Sequence, residues 1–306
     1  LHAIMSGMSS SPFLLEAGSA AAGYPDHATV SQRLAGWSAA KAPAAGSVLV
    51  SAPGRVEIIG NHTDHQGGLV IAAAVDRDVC ILAEPISDGG GAMQLNSDLE
   101  GAAEVDRSPE PRDSERGTAA GLLRGICASL ADVTGTWPQP GLQLSLSSVL
   151  PPGSGMSSSA AVAVGMAVAI NRLCFGDSLG PVALARAAQA AEVGWFGKPV
   201  GLLDQLAVAS GGSVLLDLRD ESQPAVHHFP LPLLRWGLSL VVVSTPGGHA
   251  GLDEAYAAIP GDLRAVAAAL GAGTLSEIDG DSLPAQLLLL RRSGGRGPGT
   301  CAAPGL

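Results

Sequence analysis

The segment Pro151–Ser159, PPGSGMSSS, has the residue types of a phosphate cradle. Gly153 and Gly155 let backbone approach an anion with no Cβ in the way, and Ser154, Ser157, Ser158 and Ser159 offer hydroxyls. The apolar run from Ala160 predicts a helix, whose N-terminus would add free N–H groups and a positive dipole end. The same letters describe a Ser-rich N-cap on an ordinary helix, and on the loop alone both readings stand. The Gly-Lys-Ser/Thr ending of a Walker loop is absent, as is the third glycine of a dinucleotide fingerprint.

A second polar set lies at 52–68, APGRVEIIGNHTDHQGG. Asn61, His62 and Asp64 supply an amide, an imidazole and a carboxylate. Sugar hydroxyls both donate and accept, so such a set suits them. The alternative is that His62 and His65 are turn residues; a His-x-x-His metal pair lacks a third ligand at matching spacing. Asp204 and Gln205 interrupt an apolar run, and an aspartate is seldom buried without a partner. On their own they are equally a helix cap. Glu192 alone is one carboxylate, and Tyr256, in HAGLDEAY, is on its own a core residue with a satisfied hydroxyl.

Composition narrows the chemistry. With 306 residues, 46% hydrophobic and 15% charged, the chain can build a core, and its length suggests about two domains. A net charge of −11 leaves no electrostatic footprint for nucleic acid or an anionic membrane. Lys41 and Lys198 are the two lysines, so anion chemistry should lean on arginine, backbone N–H groups or a metal. The four cysteines have no C-x-x-C spacing, which argues against a zinc ribbon or a disulfide scaffold. The apolar run at Ala160–Ile170 falls short of a membrane span, and the expectation is a cytoplasmic protein with no evident partner protein.

These residues need elements to position them. Strands are expected at Val48–Gly60, as two short pieces or one bent piece around Pro53-Gly54, and as strand–turn–strand through 68–86. Leu142, Leu144 and Leu146 alternate with polar residues, as in a half-buried strand. Further strands are expected at Ser213–Leu218 and Leu238–Ser244. Helices are expected at Val30–Ala40, Ala119–Leu130, Ala160–Leu173, Pro181–Val193, Pro199–Ser210, Asp262–Leu270 and Leu283–Arg292, with Ser108–Arg116 a surface loop. The class is α+β. The expected division is a weakly patterned segment 1–46, a domain 47–222, a second domain 223–292 and an irregular tail 293–306.

Taken in order, the four polar segments resemble the GHMP small-molecule kinases, and within them the galactokinases. Gly54-Arg55-Val56-Glu57-Ile58-Ile59-Gly60-Asn61-His62-Thr63-Asp64-His65-Gln66-Gly67-Gly68 is similar to the galactokinase signature. PPGSGMSSSAA resembles the family's phosphate loop, and Glu192 with GLLDQ matches the spacing of its metal-binding Glu and catalytic Asp. The resemblance implies an S5-like N-terminal domain and a ferredoxin-like C-terminal one. It implies ATP on Pro152, Gly153, Ser154, Gly155, Met156, Ser157, Ser158 and Ser159, and Mg²⁺ on Ser159 and Glu192. It also implies that Asp204 orients the anomeric hydroxyl of a hexose such as galactose. Arg55 would sit beside Asp204, and Asn61, His62, Asp64 and Tyr256 would hold the sugar.

The sequence departs from the family pattern in places. Asn61 stands where galactokinases have Glu, which opens galacturonate as a substrate; His65 stands for Tyr, and Ile259-Pro260 for a basic pair. The family's third Gly-rich motif has no match, and Gly271-Ala272-Gly273 is too early and too short. The second domain is therefore expected to be partial. With Leu1 at the start and a Gly/Pro-rich end, a truncated chain is expected. A non-catalytic sugar and nucleotide sensor is the alternative; keeping Arg55, Ser159, Glu192 and Asp204 together favours the kinase.

Overall fold

A computed structural model describes residues 13–16, 46–60, 62–86, 91–97, 101–151, 153–220, 222–243 and 253–282, with 284, 286 and 288. The expected helix at 30–40 and the tail 293–306 lie outside them, as does most of 283–292. The architecture is α+β. Its centre is an eight-stranded sheet: β1 (Phe13–Glu16), β2 (Val48–Ile59), β3 (Leu69–Pro85), β4 (Met93–Ser97), β5 (Gly101–Val105), β6 (Leu142–Ser148), β7 (Ser213–Asp217) and β8 (Ala225–His228). The order is β1-β2-β3-β6-β4-β5, with β7 and β8 continuing from β3. All pairs are antiparallel except β4 with β6.

β3 is one uninterrupted strand, where the sequence suggested strand–turn–strand. Asp76, Arg77 and Asp78 form no turn because both edges of the strand stay paired on either side of them. One end, Leu69–Ala73, pairs with β7, and the other, Val79–Pro85, pairs with β6. β2 is the bent single strand. Pro53 has no N–H, and the ladder with β3 shifts register between Pro53 and Arg55. The amide of Arg55 instead donates to Met156 O at 3.1 Å.

Inward residues alternate along the sheet: Val48, Val50 and Ala52, then Val79, Ile81 and Ala83, then Leu142, Leu144 and Leu146 are all buried. A helical layer covers them: α1 (Ala119–Thr134), α2 (Ser158–Phe175), α3 (Pro181–Ala191) and α4 (Leu203–Ser210). α2 is the expected run, extended at both ends. By length and composition it could span a membrane, but its residues from Ala160 to Ile170, apart from half-buried Val162, lie buried in this core. α4 starts at Leu203, later than expected, and α3 passes into a π-helical turn, Glu192–Phe196. α5 (Asp253–Ala269) begins ahead of the expected Asp262 and takes in Pro260.

One expectation is corrected. Leu238–Val243 form no strand and lie exposed; no described neighbour offers them a ladder. Across the expected boundary after 222, Val214–Asp217 pair with Ala225–His228. Among the described residues no strand follows β8.

The sheet's other face is polar yet also buried: Ser51, Asp78, Ser145 and Ser147 are all below a tenth exposed, so β6 is buried on both faces rather than half-buried. Asp78 accepts from Ser51 Oγ at 2.5 Å and Cys80 Sγ at 3.4 Å. Burial pushes its pKa up from 3.8 to about 6. The folded protein therefore holds an extra proton between those values. The stability this gives is present at low pH and is lost as pH rises through about 6. Urea unfolding at pH 5 and pH 7 should show wild type gaining roughly 1 kcal/mol over Asp78→Asn at the lower pH. Identical pH dependence of the two would refute the assignment.

Candidate active site

The site forms where β2, the 151–159 loop and α4 meet. Arg55 leaves β2 just past the register shift. Its Nε and Nη2 donate to Asp204 Oδ1 at 2.8 and 2.6 Å, and its Nη1 donates to Gly155 O at 2.6 Å. Asp204, in the first turn of α4, also accepts from Ser157 Oγ on Oδ2 at 2.5 Å. Its side chain remains 32% exposed. Gly54 permits this meeting, since a Cβ there would lie 2.5 Å from Leu150 Cδ2 and 2.9 Å from Met156 O.

The loop does not cap the helix with a serine side chain. Ser157 is the N-cap residue of α2 in the left-handed region, φ 55°, and makes no side-chain cap hydrogen bond. Its hydroxyl turns to Asp204 instead, so the helix start is left without its cap. Gly153 lies in the preceding turn, which Ser154 closes with its hydroxyl on Pro151 O at 2.7 Å. Pro152 lies outside the described residues.

Beside the loop is a second cluster. Glu192, at the head of the π-helical turn, is 1% exposed. Gln205 Nε2 donates to its Oε2, and Oε1 is buried with no hydrogen-bond partner. Burial pushes the Glu192 pKa up, while Lys198, Gln205 and Ser159 favour its anion. Lys198 Nζ donates to Ser159 Oγ at 2.8 Å. An open cleft of ≈ 160 Å³ is lined by Ser158, Ser159 and Glu192 and by an apolar wall that includes Leu95, Leu122, Val162, Met166 and Phe196.

A buried arginine shapes that wall. Arg124, on α1 and fully buried, donates to Glu115 Oε2 and Oε1 at 2.6 and 2.8 Å and to Asp106 Oδ1 at 2.6 Å. It tethers the exposed loop 106–116. That loop then holds the π-helical turn: Gly117 N–H donates to Phe196 O at 2.9 Å, and Trp195 Nε1 donates to Pro109 O at 2.9 Å.

The histidine segment forms a short 3₁₀ turn, Thr63–Gln66, with His62 in the left-handed region and its ring stacked on His65, centroids 5.9 Å apart. Asp64 is nearly buried against Gly201, where a Cβ would lie 2.0 Å from Asp64 Oδ2. Burial raises the Asp64 pKa; His65 and His62 lower it, and the nearby charge of Asp204 raises it further. The sugar segment and Asp204 therefore share one electrostatic neighbourhood. Asn61 lies outside the described residues. Tyr256 falls on α5, but its side chain lies outside them too.

Residues 121–212 match the GHMP kinases N terminal domain, and residues 40–85 match the galactokinase galactose-binding signature. The chain thus carries a GHMP kinase N-terminal domain and a galactokinase galactose-binding signature. It is 32% identical to a galactokinase of Streptomyces coelicolor over 78% of its own length and 60% of the relative's. To Homo sapiens galactokinase it is 31% identical, over 81% of its length and 63% of the relative's. The chain thus spans about 60% of the curated relatives it matches. Its fold is that of Lactococcus lactis galactokinase, solved complexed with galactose, with TM-score 0.69, 21% identity, and coverage of 86% of this chain and 67% of that one.

Three residues around the candidate site have no role in the sequence-based expectation. Gln205 braces Glu192. Arg124 has no local signature. Lys198 had one, as one of two lysines and close after Glu192. The buried, half-partnered Glu192 generates a stability prediction. Glu192→Gln removes a buried charge and should raise the unfolding free energy of the ligand-free protein by about 1 kcal/mol in urea. A clear loss of stability instead would mean the carboxylate is already compensated.

Proposed function

We propose that this protein transfers the γ-phosphoryl group of ATP to the anomeric hydroxyl of galactose. The observation that carries the reading is the Asp204 carboxylate. It is clamped by Arg55 and Ser157, partly open, and set between an uncapped helix start and the sugar segment. The galactose-binding signature and the galactokinase relatives support the choice of sugar. In this reading residues 47–222 carry both the phosphate and the sugar motifs, and the enzyme is cytoplasmic.

The loop amides at the start of α2 receive the phosphates, and the apolar cleft receives the adenine. Asp64 and His62 hold sugar hydroxyls. Asp204 orients the anomeric O–H and accepts its proton as that oxygen bonds to the γ-phosphorus. The bond from the γ-phosphorus to the β-bridging oxygen breaks, and ADP leaves with the electron pair. Transfer of this kind depends mostly on positioning and charge stabilisation. Arg55 fixes Asp204 against the loop, so the base and the phosphate cradle cannot drift apart.

The residues also fit a magnesium ion. Glu192 Oε1 is buried without a partner, Ser159 favours the Glu192 anion, and among the described residues no trio of His, Cys, Asp or Glu is grouped to hold a metal alone. One carboxylate, one hydroxyl, waters and phosphate oxygens make a magnesium set rather than a zinc set. Bound Mg²⁺ would neutralise charge on the phosphates, held by Ser159 and Glu192.

Asp204→Asn should lower the rate of galactose-dependent ADP release by about 10²–10⁴-fold while ATP still binds. Near-wild-type turnover in that variant would sink the assignment. In thermal melts with Mg·ATP, galactose at about 100 times its dissociation constant should stabilise the wild type by about 2.7 kcal/mol. A larger effect from galacturonate at the same concentration would move the substrate to an acidic sugar.

A further inference from the structure

Lys198 closes the turn that carries Glu192. Its backbone N–H and that of Gly197 both donate to Glu192 O at 2.8 Å. The residue is exposed, and its ammonium donates to Ser159 Oγ at 2.8 Å. Holding a lysine side chain in one arrangement costs up to about 2 kcal/mol of rotamer entropy. What offsets that cost is in view: the buried Glu192 carboxylate, with Oε1 unpartnered, at the same cleft mouth. Among the described residues no other Lys or Arg nitrogen hydrogen-bonds Ser159 or Glu192. Arg55, the other cation of the site, is already engaged by Asp204 and by Gly155 O.

An ammonium has three donors and no acceptor. One proton is on Ser159, which leaves two for oxygens of a polyphosphate entering the cradle. We propose that Lys198 is a nucleotide-binding residue of this site, a tethered cation that contacts the polyphosphate and carries charge neutralisation that would otherwise fall wholly to the metal. The inference rests on the nucleotide reading above and deepens it: the site should take a nucleoside triphosphate even when no divalent cation accompanies it.

Calorimetric titration of ATP into the full chain tests this, once in EDTA and once in excess Mg²⁺, with wild type, Lys198→Met and Lys198→Arg. Wild type should bind ATP in both conditions. Lys198→Met, close in length but uncharged, should weaken metal-free ATP on the order of tenfold and Mg·ATP distinctly less. Lys198→Arg should keep most of the metal-free affinity, since it keeps the charge. Equal metal-free affinity of wild type and Lys198→Met would overturn the proposal. So would equal losses in both conditions, or an Arg variant as weak as the Met one, because each removes charge sharing as the cause. If wild type shows no saturable ATP binding in either condition, the nucleotide reading itself falls, and the role of Lys198 with it.

Discussion

One ion pair joins parts of the chain that the sequence keeps far apart. Arg55 lies on β2, Asp204 on α4, and Gly155 and Ser157 on the loop between β6 and α2; the guanidinium or the carboxylate bonds to each. A planar fork with fixed donors is well suited to such a junction, and a lysine could not hold the same three-way geometry. The pair is partly exposed, with side chains 13% and 32% accessible, so its worth to stability is modest. Its importance is positional. It sets the distance between the carboxylate and the 151–159 loop, and both the bent β2 and the tight Gly54 crossing exist in a form that permits it.

Around this junction the molecule accepts local disadvantages. Glu192 is buried with one oxygen unpartnered, and the first turn of α2 goes without its side-chain cap. Each lowers the stability of the empty fold. The surrounding structure holds them in place: the core helices pack on alternating Val, Ile and Leu of the sheet, and Arg124 ties a surface loop to the π-helical turn. That tether is a buried cation with two carboxylates, an arrangement whose value lies in fixing one geometry more than in net free energy.

The site was legible where its chemistry is local in sequence. Consecutive serines after Gly155, and the polar crowding at 52–68, announce themselves because neither suits ordinary packing. α2 and β6 were legible because a long apolar run and strict alternation each favour one element. What escaped depends on partners distant in the chain. Asp76–Asp78 suggest a turn until two neighbouring strands hold β3 straight through them. Leu238–Val243 has strand composition but no described partner, and a strand without a ladder is only a segment. Ser145 and Ser147 are polar yet buried, since small hydroxyls on a covered face carry no periodic signal. Arg124 and Lys198 act through contacts made only after folding.

The uncapped start of α2 has a consequence for the lifetime of the protein. Where a helix normally closes its first amides with its own side chain, this one spends that hydroxyl on Asp204 and leaves the amides to whatever anion arrives. On the function proposed above, a bound nucleotide would serve as the missing cap, and its binding energy would add to the cohesion of the core helix. On that same proposal, resistance to heat and to proteolysis would follow nucleotide occupancy of this one helix end.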